Sequence, residues 1–265
     1  MDIKKLISQF TIYKYMIYFL IILTLVSAFF YGFGAKALLP VLITVVTTTV
    51  LDLFIEYLKT KEFVFPQSAL TSGLFIGGLV SQSLQLHIYV LAGAIAILSK
   101  HLLKFQQKQI FNPANFGILI VSIIFGASHT WWISQPLILV LIFGIFIIWR
   151  LRRFDLTLSF LLSYYLVNSI IELLIGNSFH DIYLTILNGG VIYFFTMYML
   201  IEPTTNPIER KQRIAYGILI AILFIIFAQY PNFYHNSLAT FFTTHSIPLA
   251  LAIGNIFVPL LNRLK

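Results

Sequence analysis

The chain has 265 residues, 59% of them hydrophobic and only 10% charged, with a mean hydropathy of +0.93. A soluble domain is nearer half apolar and a quarter charged, so this composition excludes one and defines an all-α, polytopic integral membrane protein. The lack of cysteine excludes disulfides, thiolate metal sites and Cys-ligated iron–sulfur clusters. The net charge of +8 does not imply nucleic acid, because the basic residues fall in small clusters between apolar runs.

Lys4, Lys5 and Lys14 precede the first apolar run, and no convincing small-residue cleavage site follows, so the run is expected to be a retained span. Spans are predicted over 15–33, 37–58, 64–82, 86–99, 113–128, 134–149, 156–175, 182–201, 214–230 and 241–262. They make one membrane domain over 1–265 and leave no room for a soluble one. With a cytoplasmic N-terminus, sixteen of the seventeen Lys and Arg fall inside and only Lys36 falls outside. That asymmetry orients the chain in a bacterial-type cytoplasmic (inner) membrane, multi-pass, with both termini cytoplasmic.

Ten spans divide into five and five, over 1–130 and 131–265, and an odd number inverts the second half. The third span is interrupted near Pro66, Ser68, Thr71, Ser72 and Gly73, and its counterpart, the eighth, near Asn188, Gly189 and Gly190. The fifth opens with Asn112-Pro113 and the tenth with His245-Ser246-Ile247-Pro248. Broken helices at matching places in inverted halves point to a midplane binding site, because irregular backbone at that depth must be lined by protein or a cavity.

Few charges interrupt the apolar runs. Asp52 and Glu56 share a helix face and, beside Lys59 and Lys61, read as interfacial and solvated. Glu172 lies near the outer end of the seventh span. Asp155 reads as a boundary ion pair with Arg153 or a helix N-terminal charge. Thr47, Thr48 and Thr49 are expected to bond back to their own helix. His87, His129, His180 and His235 fall in predicted outer loops, His101 inside and His245 near the tenth span, none at metal-site spacing. Trp131 and Trp132 read as interface anchors.

In Gln109-Ile110-Phe111-Asn112-Pro113-Ala114-Asn115-Phe116-Gly117, Asn112 stands where a helix N-cap is wanted and Pro113 where a first turn tolerates it. Four segments together resemble one family, the NqrB/RnfD superfamily of membrane proteins found in sodium-pumping NADH:quinone reductases and in Rnf-type electron transport complexes. Ser68-Ala69-Leu70-Thr71-Ser72-Gly73-Leu74 resembles its S-A-x-x-T-G-L element. Ser99-Lys100-His101-Leu102 and Ile110 to Ala114 are similar to its G-K-H-x and N-x-F-N-P-A elements. Met199 to Pro207 stands where the family has a T-D-P-x-T-x-P loop, and Ala250, Asn255, Pro259 and Leu260 occupy family-like places.

The resemblance covers roughly residues 60–262 and keeps motif order. It implies a ten-helix inverted repeat, related in plan to urea and ammonium transporters, that holds a flavin and passes electrons beside other electron-transport subunits, coupled to sodium or proton movement. It further implies ligand contacts at Ser68, Thr71, Asn112, Pro113, Asn115, Glu202, Thr204, Thr205 and Asn255. The S-G-A-T acceptor of covalent FMN does not occur; Gly126-Ala127-Ser128-His129-Thr130-Trp131-Trp132 stands in its place, and Thr130 is a poor substitute. Non-covalent FMN or riboflavin is therefore expected, with Phe111, Phe116 and Tyr198 as candidate ring contacts. The short loops also resemble stand-alone, shortened members of the superfamily, including membrane proteins of enediyne biosynthesis clusters. A redox-inactive transporter or channel for a small solute on the same fold is the alternative.

Overall fold

A computed structural model describes residues 11–229 and 237–263. Lys4, Lys5, His235 and Lys265 lie outside the described residues. Helices α1 (Ile12–Phe30) and α2 (Leu38–Thr60) are followed by the shorter α3 (Gln67–Leu79) and α4 (Leu86–Leu102). A two-stranded hairpin, β1 (Lys104–Phe105) and β2 (Lys108–Gln109), leads into α5 (Pro113–Phe125). The second half holds α6 (Leu137–Leu151), α7 (Phe154–Leu174), α8 (Phe179–Leu187) and α9 (Gly190–Phe194), the last continuing as a π-helical turn to Met199. It closes with α10 (Arg210–Gln229), α11 (Ser237–Thr244) and α12 (Ser246–Leu261).

Helical segments thus stand at all ten predicted places, but they differ in reach. Among the described residues four helices are long and apolar enough to cross a bilayer, or six if each bent pair counts as one span. The 13 residues of α3 and of α5 cover only about 20 Å at 1.5 Å per residue, short of an apolar core of about 30 Å. Breaks occur where the second half predicted them: α8 meets α9 at 47° and α11 meets α12 at 78°.

Each long helix divides into a protein face and a lipid face. In α1 the residues Met16, Leu20, Leu23 and Ser27 are buried at helical spacing while Ile21, Ile22, Leu25 and Phe29 are exposed. Helices approach closely where side chains are small. A methyl added at Gly73 or Gly77 of α3 would lie 2.6 Å from the Val45 Cα or 2.4 Å from the Val41 Cα of α2, so this Gly-x-x-x-Gly face is fitted to its neighbour. Thr44 of α2 donates to the Gly73 carbonyl at 2.8 Å across the same contact. Thr47 and Thr48 bond back to Ile43 and Val45 of their own helix, as expected, whereas the Thr49 hydroxyl is buried without a partner.

Trp131 and Trp132 are not interface anchors. Both are buried, and the Trp132 indole donates to the Gly77 carbonyl at 3.0 Å, which satisfies its N–H inside the protein. Asp155 pairs with Arg213 rather than Arg153, its Oδ2 accepting from Arg213 Nε at 2.8 Å. Glu172 accepts from Gln229 and Asn177.

Hydrogen bonds gather the starts of α1, α3, α5, α7 and α10 and the ends of α2, α4 and α12 at one end of the bundle. The described Lys and Arg other than Lys36 collect at this basic end, whereas Lys36 lies in the turn at the far end. At the far end the chain after α3 pairs with the chain after α5: Ser81 donates to the Ser128 carbonyl and Thr130 to that of Leu79. That bridge satisfies backbone groups that no helix supplies there.

Candidate functional site

At the basic end Asn112 caps α5 as its sequence suggests, its Oδ1 accepting from the Asn115 N–H at 3.0 Å, with Pro113 in the first turn. The rest of its amide reaches the second half of the chain. Asn112 Nδ2 donates to the Met199 carbonyl at 3.4 Å, and its backbone N–H to Asn255 Oδ1 at 3.5 Å. Asn255 Nδ2 in turn donates to the Thr205 carbonyl at 3.2 Å and to the Tyr216 hydroxyl at 3.1 Å. Asn115 Nδ2 donates to the Pro248 carbonyl at 3.0 Å, while Asn115 Oδ1 is buried without a partner. Asn112, Asn115 and Asn255 are 3%, 1% and 0% exposed, so this hub is a closed polar junction of α5, α10, α12 and the loop after α9.

A second set of contacts stands beside it. Gln109, on β2, donates to Glu202 Oε1 at 2.9 Å and to the Thr204 hydroxyl, and Thr204 donates to the same Glu202 oxygen at 3.1 Å. Glu202 Oε2 is buried and unpartnered. In this loop beyond the α9 turn, burial pushes the Glu202 carboxyl up to about 7; the hydrogen bonds from Thr204 and Gln109 and the charge of Lys100 pull it down less.

Two spaces flank the hub. A pocket of about 20 Å³ is bounded by Ser68, Thr71, Asn112, Tyr198 and Glu202, room for about one water. A cleft of about 230 Å³ is lined by Phe105, Lys108, Gln109, Thr204, Thr205, Asn206, Asn255 and Arg263, among others. Asn206 is 5% exposed, and neither its Oδ1 nor its Nδ2 has a partner. Such a group is costly to bury unless something completes it.

The residues expected from the sequence therefore come together but divide. Ser68, Thr71, Asn112 and Glu202 line the small pocket, Thr204, Thr205 and Asn255 line the cleft, Asn115 joins α5 to α12, and Pro113 stands in the first turn of α5. Tyr198 is wholly buried, stacked on Phe194 at 4.7 Å with its hydroxyl on the Val140 carbonyl, so it is a core residue and not an open ring contact. Phe111 and Phe116 pack on each other at 4.8 Å. Gln109 and Asn206 are additional polar residues of the cleft, and both lie inside motifs already visible in the sequence.

Asp52 is not solvated. It is 2% exposed and accepts from Lys100 Nζ at 2.8 and 3.0 Å, with His101 Nε2 2.7 Å away. Lys100 also reaches the Ser68 hydroxyl at 2.8 Å, and Lys59 contacts the other ring nitrogen of His101 at 2.9 Å. Glu56 is the half-exposed member, 3.6 Å from His101. The carboxylate is buried where α2, α3 and α4 meet, and the Lys100 ammonium of α4 compensates it.

At the far end His129 Nε2 and His245 Nδ1 are 2.8 Å apart, with the Ser122 hydroxyl at 3.4 Å. They are 116 residues apart in sequence, so no spacing rule finds them. No group of three or more metal-ligating side chains occurs among the described residues. Thr130 is exposed in the same far-end loop and donates its backbone N–H to Leu79.

Compared with known families, residues 5–136 match the profile of the NQR2, RnfD, RnfE family. No curated protein matches the chain.

Proposed function

Over residues 5–136 the chain belongs to the NQR2, RnfD, RnfE family, and from that premise we propose that it is a membrane subunit of an Rnf- or Nqr-type electron-transport system. In this reading it lies in a bacterial-type cytoplasmic membrane with its basic end inward, works beside other electron-transport subunits, and couples electron transfer to sodium or proton movement. Clustering of the described cations at one end supports that orientation. Matching contacts support the two-halves plan: α2 with α4 and α4 with α5 in one half, α7 with α10 and α10 with α12 in the other.

The observation that carries the flavin reading is the unpartnered Asn206 amide in the basic-end cleft. The pyrimidine edge of an isoalloxazine alternates carbonyl acceptors with an N–H donor, which a side-chain amide complements. Asn206 would bind that edge, and Phe105, 38% exposed, would offer a ring face. The one-water pocket excludes a flavin ring, and Thr130 stands at the far end, so the ligand would be non-covalent FMN or riboflavin in the cleft. When bound, a flavin supplies one- and two-electron chemistry. Of the chain's own residues, Gln109 and Thr204 hold Glu202 behind the cleft, where its carboxyl can keep or release a proton near neutral pH.

The missing S-G-A-T acceptor and the one-water pocket favour a second reading, a redox-inactive transporter or channel for a small solute. The visible spectrum and intact mass of the purified protein separate the two. A flavin band with unmodified mass is expected for the first. Protein that stays colourless after incubation with FMN and riboflavin selects the transporter, and an added FMN mass would overturn non-covalent binding.

A further inference from the structure

Helix α6 passes to α7 through a two-residue turn, Arg152 and Arg153. Arg152 adopts a left-handed φ of 55° that ends α6, and Arg153 precedes the first residue of α7. This turn and the start of α10 wall a second basic-end cleft, about 490 Å³ in volume, into which Arg150, Arg152, Arg210, Arg213 and Asp155 converge. Asp155 neutralises Arg213 through the contact at 2.8 Å. Among the described residues no second carboxylate lines the cleft to meet its other three arginines. The Nε atoms of Arg150 and of neighbouring Arg153 are buried without a hydrogen-bond partner. Burial depresses the Arg153 guanidinium pKa, the nearby Arg213 charge depresses it further, and Asp155 offsets only part. The cluster is short of negative charge.

The rim of this cleft is apolar. Trp149 and Phe154 are 55% and 43% exposed, and each continues a stripe of exposed aliphatic residues: Ile142 and Ile145 on α6, Leu158 and Leu162 on α7. An indole beside arginines at the end of an apolar stripe is placed as at a headgroup boundary. We propose that this cleft binds the phosphodiester headgroup of an anionic phospholipid, with its acyl chains on the α6 and α7 stripes. Guanidinium forks suit phosphate oxygens, and basic pockets between membrane helices suit lipid headgroups. A free phosphate would use the arginines alone; a lipid uses both surfaces. The site is independent of the electron-transfer reading.

The test is native mass spectrometry of the full chain in neutral detergent doped with phosphatidylglycerol or phosphatidylcholine. The double variant Arg152→Gln/Arg210→Gln changes two exposed residues and leaves the Arg213–Asp155 pair intact. Lys61→Gln/Lys104→Gln removes the same charge elsewhere at the basic end. Wild type and the lysine variant are expected to retain phosphatidylglycerol over phosphatidylcholine, and the arginine variant to bind it roughly 30-fold more weakly. Equal loss in both variants, or no loss in either, would overturn the site. Displacement of the lipid by millimolar inorganic phosphate would make it a soluble-anion site and overturn the lipid assignment.

Discussion

Glu202 links the hub to pH. Its folded pKa lies at about 7, raised by burial from an ordinary value of 4.5, so folding favours the protonated form. The contribution to stability is full below the unfolded pKa, fades as pH rises, and is lost above the folded value. Thermal stability in detergent is expected to fall between about pH 5 and about pH 8, and Glu202→Gln to flatten that fall. An identical slope in the variant would remove Glu202 as its source. Asp52 behaves oppositely, as a charge that must stay compensated. Lys100→Met strands the carboxylate and is expected to cost about 3 kcal/mol, read from denaturation midpoints, whereas adding Asp52→Asn should restore most of it. A double variant no better than the single one would contradict this. The sequence places Asp52 and Lys100 in different spans and gives no sign of their contact; only the approach of α2 to α4 makes the aspartate internal.

At the scale of elements, most of what can be read along one helix was legible. The apolar runs, the Asn112 cap and the two breaks of the second half follow from local chemistry, because proline, glycine and side-chain amides act within a turn. Helix–helix fit is less legible. Gly73 looks in the sequence like part of an interruption of a span, yet α3 runs unbroken from Gln67 to Leu79, and Gly73 with Gly77 makes the face on which α2 and α3 meet backbone to backbone. Gly77→Ala is therefore expected to destabilise the bundle by about 2 kcal/mol through overpacking, where an alanine in an exposed helix would be neutral or better. A melting temperature unchanged from wild type would show that α2 and α3 separate easily. The tryptophans carry the same lesson. Trp131 and Trp132 have the composition of an interface belt, but Trp132 finds its partner in Gly77 and turns inward.

At the scale of the whole molecule, the two halves of the chain meet through aromatic packing, as of Phe19 on Phe143, and through a small number of amides. Asn112, Asn115 and Asn255 carry the contact of α5 with α12 and with the loop after α9, and each donates from its side-chain amide nitrogen across that junction. They were legible as candidates because they sit in motifs, but their contacts with the second half of the chain were not. Asn206 is different: it lines the cleft with both amide atoms buried and unpartnered, a property that no sequence pattern exposes. The same distinction separates the arginines of the α6–α7 turn, legible as an orientation signal, from their convergence on a cleft with Arg210, which required the fold.

The central claim, that the cleft beside the hub is a flavin site, meets its most direct test in riboflavin and FMN titrations followed by flavin fluorescence, on wild type and Asn206→Leu. The account predicts saturable binding to wild type, weakened about tenfold or more in the variant by loss of one or two hydrogen bonds. The variant's melting temperature should be unchanged or raised, because two buried atoms without partners are removed. Equal affinity in the two proteins, or no binding to wild type, would contradict it.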